Sequence, residues 1–371
     1  MSDLTAIGHL TDATFSHFVE TARCLGAGVS VIDAREVVET GSWRFTIGAA
    51  KDCGFVEAPD VGRLGVSDLG PVYSRLVSLE GTYTGRLAAR WRNFTHGMRA
   101  ALESHAPVVI NRPGRHAHNV SKPLHEAWIV ANGLRVPHSV TSSDPSVLEC
   151  FSADGPTICK PCSGVRSETF IVTARSFKNY SSAQGPVHLQ RLITGMDYRV
   201  HVIGDRTVTV RIESDAVDYR AGRNCPWYEP SCIPADLEST LIRVTARMGI
   251  TFAGWDLKLD RSGRYWVLEA NLMPAYRLYD LKCDRAITEA LLEVLADGES
   301  RNAIDIWEGY GVPPEMRLNP DSAAVPVTTH RHARPNSEQL PQAPFIPASR
   351  RADVLASLAV RSEKRQDRSA R

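Results

Sequence analysis

The residues best suited to chemistry lie in Gly254-Trp255-Asp256-Leu257-Lys258, which a turn at Asp260-Arg261-Ser262-Gly263 separates from Leu268-Glu269-Ala270-Asn271. On a hairpin, Asp256 and Glu269 lie on paired strands, while Glu269 and Asn271, two residues apart, share a face. Three oxygen donors then converge on one point. Two carboxylates and an amide suit hard Mg2+ ions, which keep part of their water and take phosphate oxygens as remaining ligands. A solvated hairpin with scattered polar groups is the competing reading. The apolar neighbours Phe252, Trp255, Trp266, Val267 and Leu268 weigh against it, because a carboxylate in a half-buried strand needs a partner.

Other charged groups stand out by context. Lys160 lies inside the apolar run Thr157-Ile158-Cys159-Lys160-Pro161, where an ammonium group needs an anion or a route to water. A Ser163-Gly164-Val165-Arg166-Ser167 loop follows it. Lys122 comes in Asn119-Val120-Ser121-Lys122, and an isolated Lys is most often a solvated surface group. Arg199, Arg211 and Arg220 bear planar, permanently charged guanidinium groups suited to bidentate contact with carboxylate or phosphoryl oxygens, with surface ion pairing as the alternative for each.

Elements that could position these groups follow from periodicity. Thr5 to Leu10 reads as a strand, Asp12 as the cap of a helix bearing Phe15, Phe18, Val19, Ala22 and Leu25, and Val29 to Ile32 as the next strand. A helix with Leu87, Ala88, Trp91, Phe94, Met98 and Leu102 on one face leads to the strand Val108 to Ile110. Strand, helix, strand is the opening rhythm of an α/β domain. A helix from Asn119 to Gly133 precedes strands at Thr157 to Pro161, Ile171 to Ala174 and Val187 to Ile193. Hairpins are expected around Gly204-Asp205 and around the Asp260 to Gly263 turn, with a helix from Pro234 to Gly249 between them.

Length and composition bound the rest. The 371 residues and 43% hydrophobic content support two or three packed modules. Net charge is +1, but from Pro320 onward there are nine Lys or Arg against five Asp or Glu, so a basic end adjoins a mildly acidic body. No run approaches the roughly 18 apolar residues of a membrane helix, and MSDLTAIG lacks a basic start before an apolar stretch, so a cytoplasmic location is expected. The eight dispersed cysteines are expected to be reduced, and Cys159 and Cys162 have no second C-x-x-C to complete a zinc site. Beyond about Gly311, eight prolines and few large apolar residues lead us to expect a disordered or loosely docked tail, with a short helix from Val354 to Val360.

The order of these motifs resembles the ATP-grasp superfamily, and within it the RimK-like carboxylate-amine ligases, over roughly Asn111 to Gly298. The resemblance implies an α/β (α+β) chain with an ATP-grasp fold. It divides into an N-terminal pre-ATP-grasp domain at residues 1–115, grasp subdomains at 116–186 and 187–300, and the tail at 301–371. It implies that Asp256, Glu269 and Asn271 hold two Mg2+ ions, with Mn2+ as a substitute, on the phosphates of ATP. Lys122 and Lys160 would bind those phosphates, the loop beginning Ser163-Gly164 would cover them, Gln190, Leu192 and Ile193 would meet adenine, and Asp197 the ribose. Gln190 stands where Glu is usual, and Ala275 follows Asn271-Leu272-Met273-Pro274 where many relatives have Gly. Arg199, Arg211 and Arg220 would hold the carboxylate and the tetrahedral oxyanion. His9, Asp12, Arg75 and Arg112 of the N-terminal part would contribute to acceptor recognition.

The implied activity is formation of an amide or peptide bond through an acyl phosphate, on an amino acid, peptide or natural-product substrate. The alternatives are an ATP-grasp kinase or a nucleotide-binding protein without turnover. Small-molecule or peptide carboxylates and amines are the expected partners. A homodimer is compatible with the sequence, a membrane is not expected, and only the basic tail would argue for nucleic acid.

Overall fold

Side-chain parity in β1 (Leu4–Gly8) shows why the amino-terminal part forms a sheet covered on both sides: Leu4 and Ala6 enter one core cluster and Ile7 another. The computed structural model describes residues 4–46, 54–79, 81–104, 108–114, 120–163, 169–214 and 226–297. The expected helix at Val354 to Val360 lies outside them.

β1 continues through α1 (Ala13–Cys24), whose first N–H groups are capped by Asp12, into β2 (Val29–Asp33), and α2 (Ala34–Glu39) follows. A small antiparallel sheet, β3 (Ser42–Phe45), β4 (Gly54–Ala58) and β5 (Gly62–Gly65), comes next. The chain then adds β6 (Val72–Ser74), the long α3 (Gly85–Ser104) and β7 (Val109–Ile110) to the first sheet, which has the parallel order β2-β1-β6-β7. α2 and α3 cover one side of it with Val37, Val38, Trp91, Phe94 and Met98, while α1 covers the other.

α4 (Lys122–Ala131), β8 (Ser139–Ser142), α5 (Pro145–Ala153), β9 (Thr157–Lys160), β10 (Phe170–Val172) and β11 (Val187–Arg191) follow, with strands in the antiparallel order β10-β9-β11-β8. Because β11 pairs with both β8 and β9, it belongs to this sheet. The chain passes to the next sheet at residues 192–194, and not at the 186/187 boundary expected from the sequence.

The last sheet is β14-β13-β12-β15-β16, built from β12 (Gly195–Ile203), β13 (Arg206–Glu213), β14 (Trp227–Ser231), β15 (Phe252–Asp260) and β16 (Tyr265–Asn271). Gly204, at φ 60°, makes the tight β12–β13 turn that the Gly-Asp pair foretells. Tyr198, Val200, Trp255, Leu257 and Val267 bury one face, packing with α4 and with α6 (Ala235–Arg247). On the other face, Ile203, Val210, Ile212 and Phe252 join α1, α7 (Arg277–Lys282) and α8 (Ala286–Asp297) in the core that also holds Leu4, Ala6 and Tyr73. One hydrophobic cluster therefore unites the first and last sheets. No helix among the described residues is long and apolar enough to cross a membrane.

Candidate active site

Three adjacent strands set three charged residues in one row: Arg199 on β12 pairs with Asp256 on β15, and Asp256 pairs with Glu269 on β16. Residues directly opposite in antiparallel strands share a face. Asn271 opposes Gly254 one step along that face. The hairpin brings the three oxygen donors together through a register shift: Leu257 opposes Val267 but Asp256 opposes Glu269, so Leu268 is an extra residue that turns Glu269 and Asn271 to the face of Asp256. Asp256 is 6% exposed and accepts from Arg199 Nη1 at 2.7 Å, while the more open Glu269 is 3.4 Å from Lys122 Nζ. Asn271 Oδ1 accepts the Met273 N–H at 3.1 Å.

Carboxylates directly opposite across two strands repel each other. Here an amide oxygen adjoins them and cationic groups lie at either end of the row. That donor set fits a divalent cation with oxygen ligands.

Gly254 shapes the arginine. A Cβ there would stand 2.3 Å from Arg199 Nη2, so the bare backbone gives the guanidinium its place beside Asp256. On its other side Arg199 lies over the Tyr279 ring at 5.6 Å, and its Nε is 3.4 Å from His201 Nε2. Burial and the adjacent Arg199 charge hold His201 well below the ordinary histidine range. Gly254→Ala should displace Arg199 and lower stability by about 1–3 kcal/mol, the usual cost of overpacking. An unchanged denaturation midpoint would contradict this.

α4 brings the first lysine. Ser121 caps the helix by accepting the Leu124 N–H, which puts Lys122 in the first turn. The helix is locked to the edge strand: His125 Nε2 accepts the outward Ala270 N–H at 2.9 Å. Lys122 N–H also donates to Cys162 O at 2.9 Å, and Ser121 bridges to Ser163, so the loop after β9 begins at the helix N-terminus.

Lys160 ends β9. Burial is the main influence depressing its pKa; Glu269 opposes that effect, Lys122 adds to it, and Glu126 and Asp256 also oppose it. Two lysines from different elements thus act electrostatically on each other and on the carboxylate pair. An anion between them would relieve their repulsion.

Beneath Lys160 lies a polar network that the sequence did not reveal. Lys160 Nζ donates to Gln190 Oε1 at 2.9 Å, and Gln190 Nε2 donates to Glu126 Oε1 at 2.6 Å. Ser139 Oγ donates to Glu126 Oε2, and His188 Nε2 lies 2.9 Å from Glu126 Oε1. Burial pushes the Glu126 carboxyl up, but the contacts with His188 and Ser139 and the charge of Lys160 bring it below the usual range. Gln190 is fully buried, and both ends of its carboxamide are engaged within the protein.

The remaining expected residues are placed variously. Leu192 and Ile193, half-buried, form the link from β11 to β12, where the Leu192 N–H donates to Pro156 O at 2.9 Å. Asp197 is buried and 3.2 Å from Lys258 Nζ, an ion pair that puts Lys258 on the site's face of the sheet. Arg211 departs from the expectation. It pairs with Tyr198 and so lies on the sheet face opposite Arg199, with its guanidinium 2.5 Å from Glu229. Gly164 and Arg220 lie outside the described residues.

His9, Asp12 and Arg75 surround the carboxyl ends of the parallel strands, while Arg112 Nη1 donates to Leu102 O, at the end of α3, at 2.7 Å. Asp12 and Arg75 form an ion pair of 2.8 Å, and His9 Nδ1 is 2.9 Å from Thr11 Oγ1.

No protein-family model matches the sequence, and no curated protein matches it. Solved structures do. The ATP-grasp ligase PsnB complexed with minimal precursor is 25% identical, with a TM-score of 0.66 over 80% of this chain and 98% of that one. PsnB has also been solved with minimal precursor, Mg and ADP, at 24% identity and a TM-score of 0.63 over 79% of this chain and 98% of that one. The macrocyclase MdnC bound with precursor peptide MdnA, from Microcystis aeruginosa MRC, is 17% identical, with a TM-score of 0.68 over 80% of this chain and 100% of that one. A similar match is the Chryseobacterium gregarium RiPP-associated ATP-grasp ligase in complex with ADP and a leader and core peptide, at 16% identity and a TM-score of 0.68 over 81% and 99%.

The two antiparallel sheets and the α/β part before them therefore form an ATP-grasp fold. The chain belongs to the ATP-grasp superfamily.

Proposed function

We propose that the protein is an ATP-dependent ligase that joins a carboxylate to an amine within a peptide substrate, forming an amide through an acyl phosphate. The observation that carries this is the opposed Asp256–Glu269 pair, with Asn271 on the same face and Lys122 Nζ 3.4 Å from Glu269. It occurs in a fold whose solved neighbours were captured with ADP, Mg and precursor peptides.

Asp256, Glu269 and Asn271 would hold two Mg2+ ions, with Mn2+ as a substitute, and bound there the ions would neutralise charge on the transferring phosphoryl group. Lys160 and Lys122 would bind phosphate oxygens, Lys160 turning from Gln190 to do so. Leu192 and Ile193 would line the adenine site, and Asp197 would accept from the ribose hydroxyls beside Lys258. Arg199 would fix Asp256. The loop beginning Ser163-Gly164 would exclude water, which otherwise hydrolyses the acyl phosphate. Arg220 remains the candidate for holding the substrate carboxylate.

In the first step a carboxylate oxygen attacks the γ-phosphorus and the bond to the β-phosphate oxygen breaks, releasing ADP. In the second the amine nitrogen attacks the acyl carbon, the carbon–oxygen bond to phosphate breaks, and the nitrogen loses a proton. Neither step requires a nucleophilic side chain; both require charge stabilisation.

The test supplies purified protein with ATP, Mg2+, hydroxylamine and a precursor peptide from the same gene neighbourhood. Peptide-stimulated release of ADP and phosphate, together with a peptide hydroxamate, is expected. A stable phosphorylated product without free phosphate would make the protein a kinase. Nucleotide binding without turnover would make it a binding protein.

A further inference from the structure

Immediately after Asn271, three consecutive backbone carbonyls are gripped by side chains from the first part of the chain. Asn111 Nδ2 donates to Leu272 O at 2.7 Å, and Arg75 Nη1 donates to Met273 O at 3.1 Å and to Pro274 O at 2.9 Å. Arg75 is 6% exposed and is itself fixed by Asp12, from Nε to Oδ1 at 2.8 Å and from Nη2 to Oδ2 at 3.3 Å. Asn111, 5% exposed, also accepts the N–H groups of Thr251 and Phe252, the residues that open β15. Both strands of the carboxylate hairpin are thereby tied to the first sheet.

The grip reaches Asn271 through one residue. Met273, whose carbonyl Arg75 holds, donates its own N–H to Asn271 Oδ1 at 3.1 Å. Asn271 is the last residue of β16, and beyond it the Leu272 side chain enters the core while the carbonyls are held by Asn111 and Arg75. The Asp12 carboxylate balances the guanidinium, so the loop is held without adding net positive charge beside a cation site.

We propose that Arg75 and Asn111 are positioning residues for Asn271: the amino-terminal part sets the orientation of the amide oxygen that completes the Mg2+ ligand set. The inference rests on the proposed function, since it presumes that Asn271 is a metal ligand. Outer hydrogen-bond partners of metal ligands change metal affinity by about 10–100-fold when lost.

Calorimetric titration of the full chain with ADP, with and without Mg2+, tests the proposal without turnover. Mg2+ should strengthen ADP binding to the unaltered protein. In Arg75→Met the strengthening should fall by roughly tenfold or more while ADP binding without Mg2+ is retained. Asp12→Asn preserves a good helix cap but removes the charge that anchors Arg75, and should show a smaller loss in the same direction. Arg75→Lys, which cannot fork to two carbonyls and a carboxylate together, should fall between Arg75→Met and the unaltered protein. If Arg75→Met does not fold, the other two variants carry the test. Lower melting temperatures with an unchanged Mg2+ effect in every folded variant would overturn the proposal and leave these contacts as simple joints. Absence of any Mg2+ effect in the unaltered protein would instead overturn the proposed function itself.

Discussion

Glu269→Gln should yield a folded protein whose ADP formation is reduced on the order of 100-fold, the usual loss when one preorganised electrostatic group is removed from a charge-stabilising site. Glu269 is the cleanest residue for this test. Its side chain is 29% exposed and its ion-pair partner Lys122 is 20% exposed, whereas Asp256, at 8%, is locked to Arg199. Removing the Asp256 carboxylate would leave a buried guanidinium unbalanced and cost about 3–5 kcal/mol of stability, confounding folding with function. Gln keeps the shape and an oxygen at position 269 but removes the charge opposite Asp256 and the 3.4 Å partner of Lys122. The expected signature is a melting temperature within a few degrees of the unaltered protein, with lost turnover and weakened Mg2+-dependent ADP binding. Near-normal ADP formation by purified Glu269→Gln would remove Glu269 from the site. Lys160→Ala should show the same loss of turnover, since its ammonium lies within electrostatic reach of both carboxylates.

What the sequence could and could not reveal about this site follows the range of each interaction. Asp256, Glu269 and Asn271 were legible as a group because one turn joins their strands, but strand parity places only Glu269 and Asn271 on one face, and a register shift between Asp256 and Leu257 brings Asp256 to the same side. Lys160 was legible because an ammonium in an apolar strand is costly without a partner. The face on which Arg211 lies is not legible in its own strand. Parity within β13 says which residues alternate, but only its pairing with Tyr198 decides which face of the sheet they reach. Arg75 could be picked out as a candidate for acceptor recognition, yet its grip on Pro274 spans 199 residues, and no periodicity predicts such a contact. Lys258 stood in the same motif as Asp256, but its partner Asp197 lies on another hairpin. The parallel sheet and the long α3 follow from hydrophobic period. The strands β3 to β5 and β14 are four or five residues long and partly exposed, so their patterns carry little signal.

Gln190→Glu should destabilise the protein by about 3 kcal/mol at neutral pH, a size set by burying an uncompensated charge. The substitution adds one carboxylate oxygen where an amide N–H now donates to Glu126 at 2.6 Å, while keeping the oxygen that accepts from Lys160 at 2.9 Å. At an effective dielectric of about 20, the new repulsion and the new attraction are each about 6 kcal/mol and nearly cancel. Desolvation of a second carboxylate at a fully buried position then decides the outcome, and its sign is unfavourable. The pair can escape by sharing a proton, which raises the folded-state pKa of one carboxyl above its unfolded value. A raised carboxyl costs stability as pH rises, so the deficit against the unaltered protein should widen between pH 5 and pH 8. In that interval Glu126 of the unaltered protein stays ionised, because His188, Ser139 and Lys160 hold its pKa below the ordinary value. The same change should weaken ATP binding, since Lys160 would have to leave a carboxylate instead of an amide to reach a phosphate. Denaturant melts of both proteins across this pH range, paired with calorimetry for ATP, measure the two effects. Equal midpoints at pH 8 would show that Gln190 and Glu126 do not form the buried contact that holds Lys160 in place.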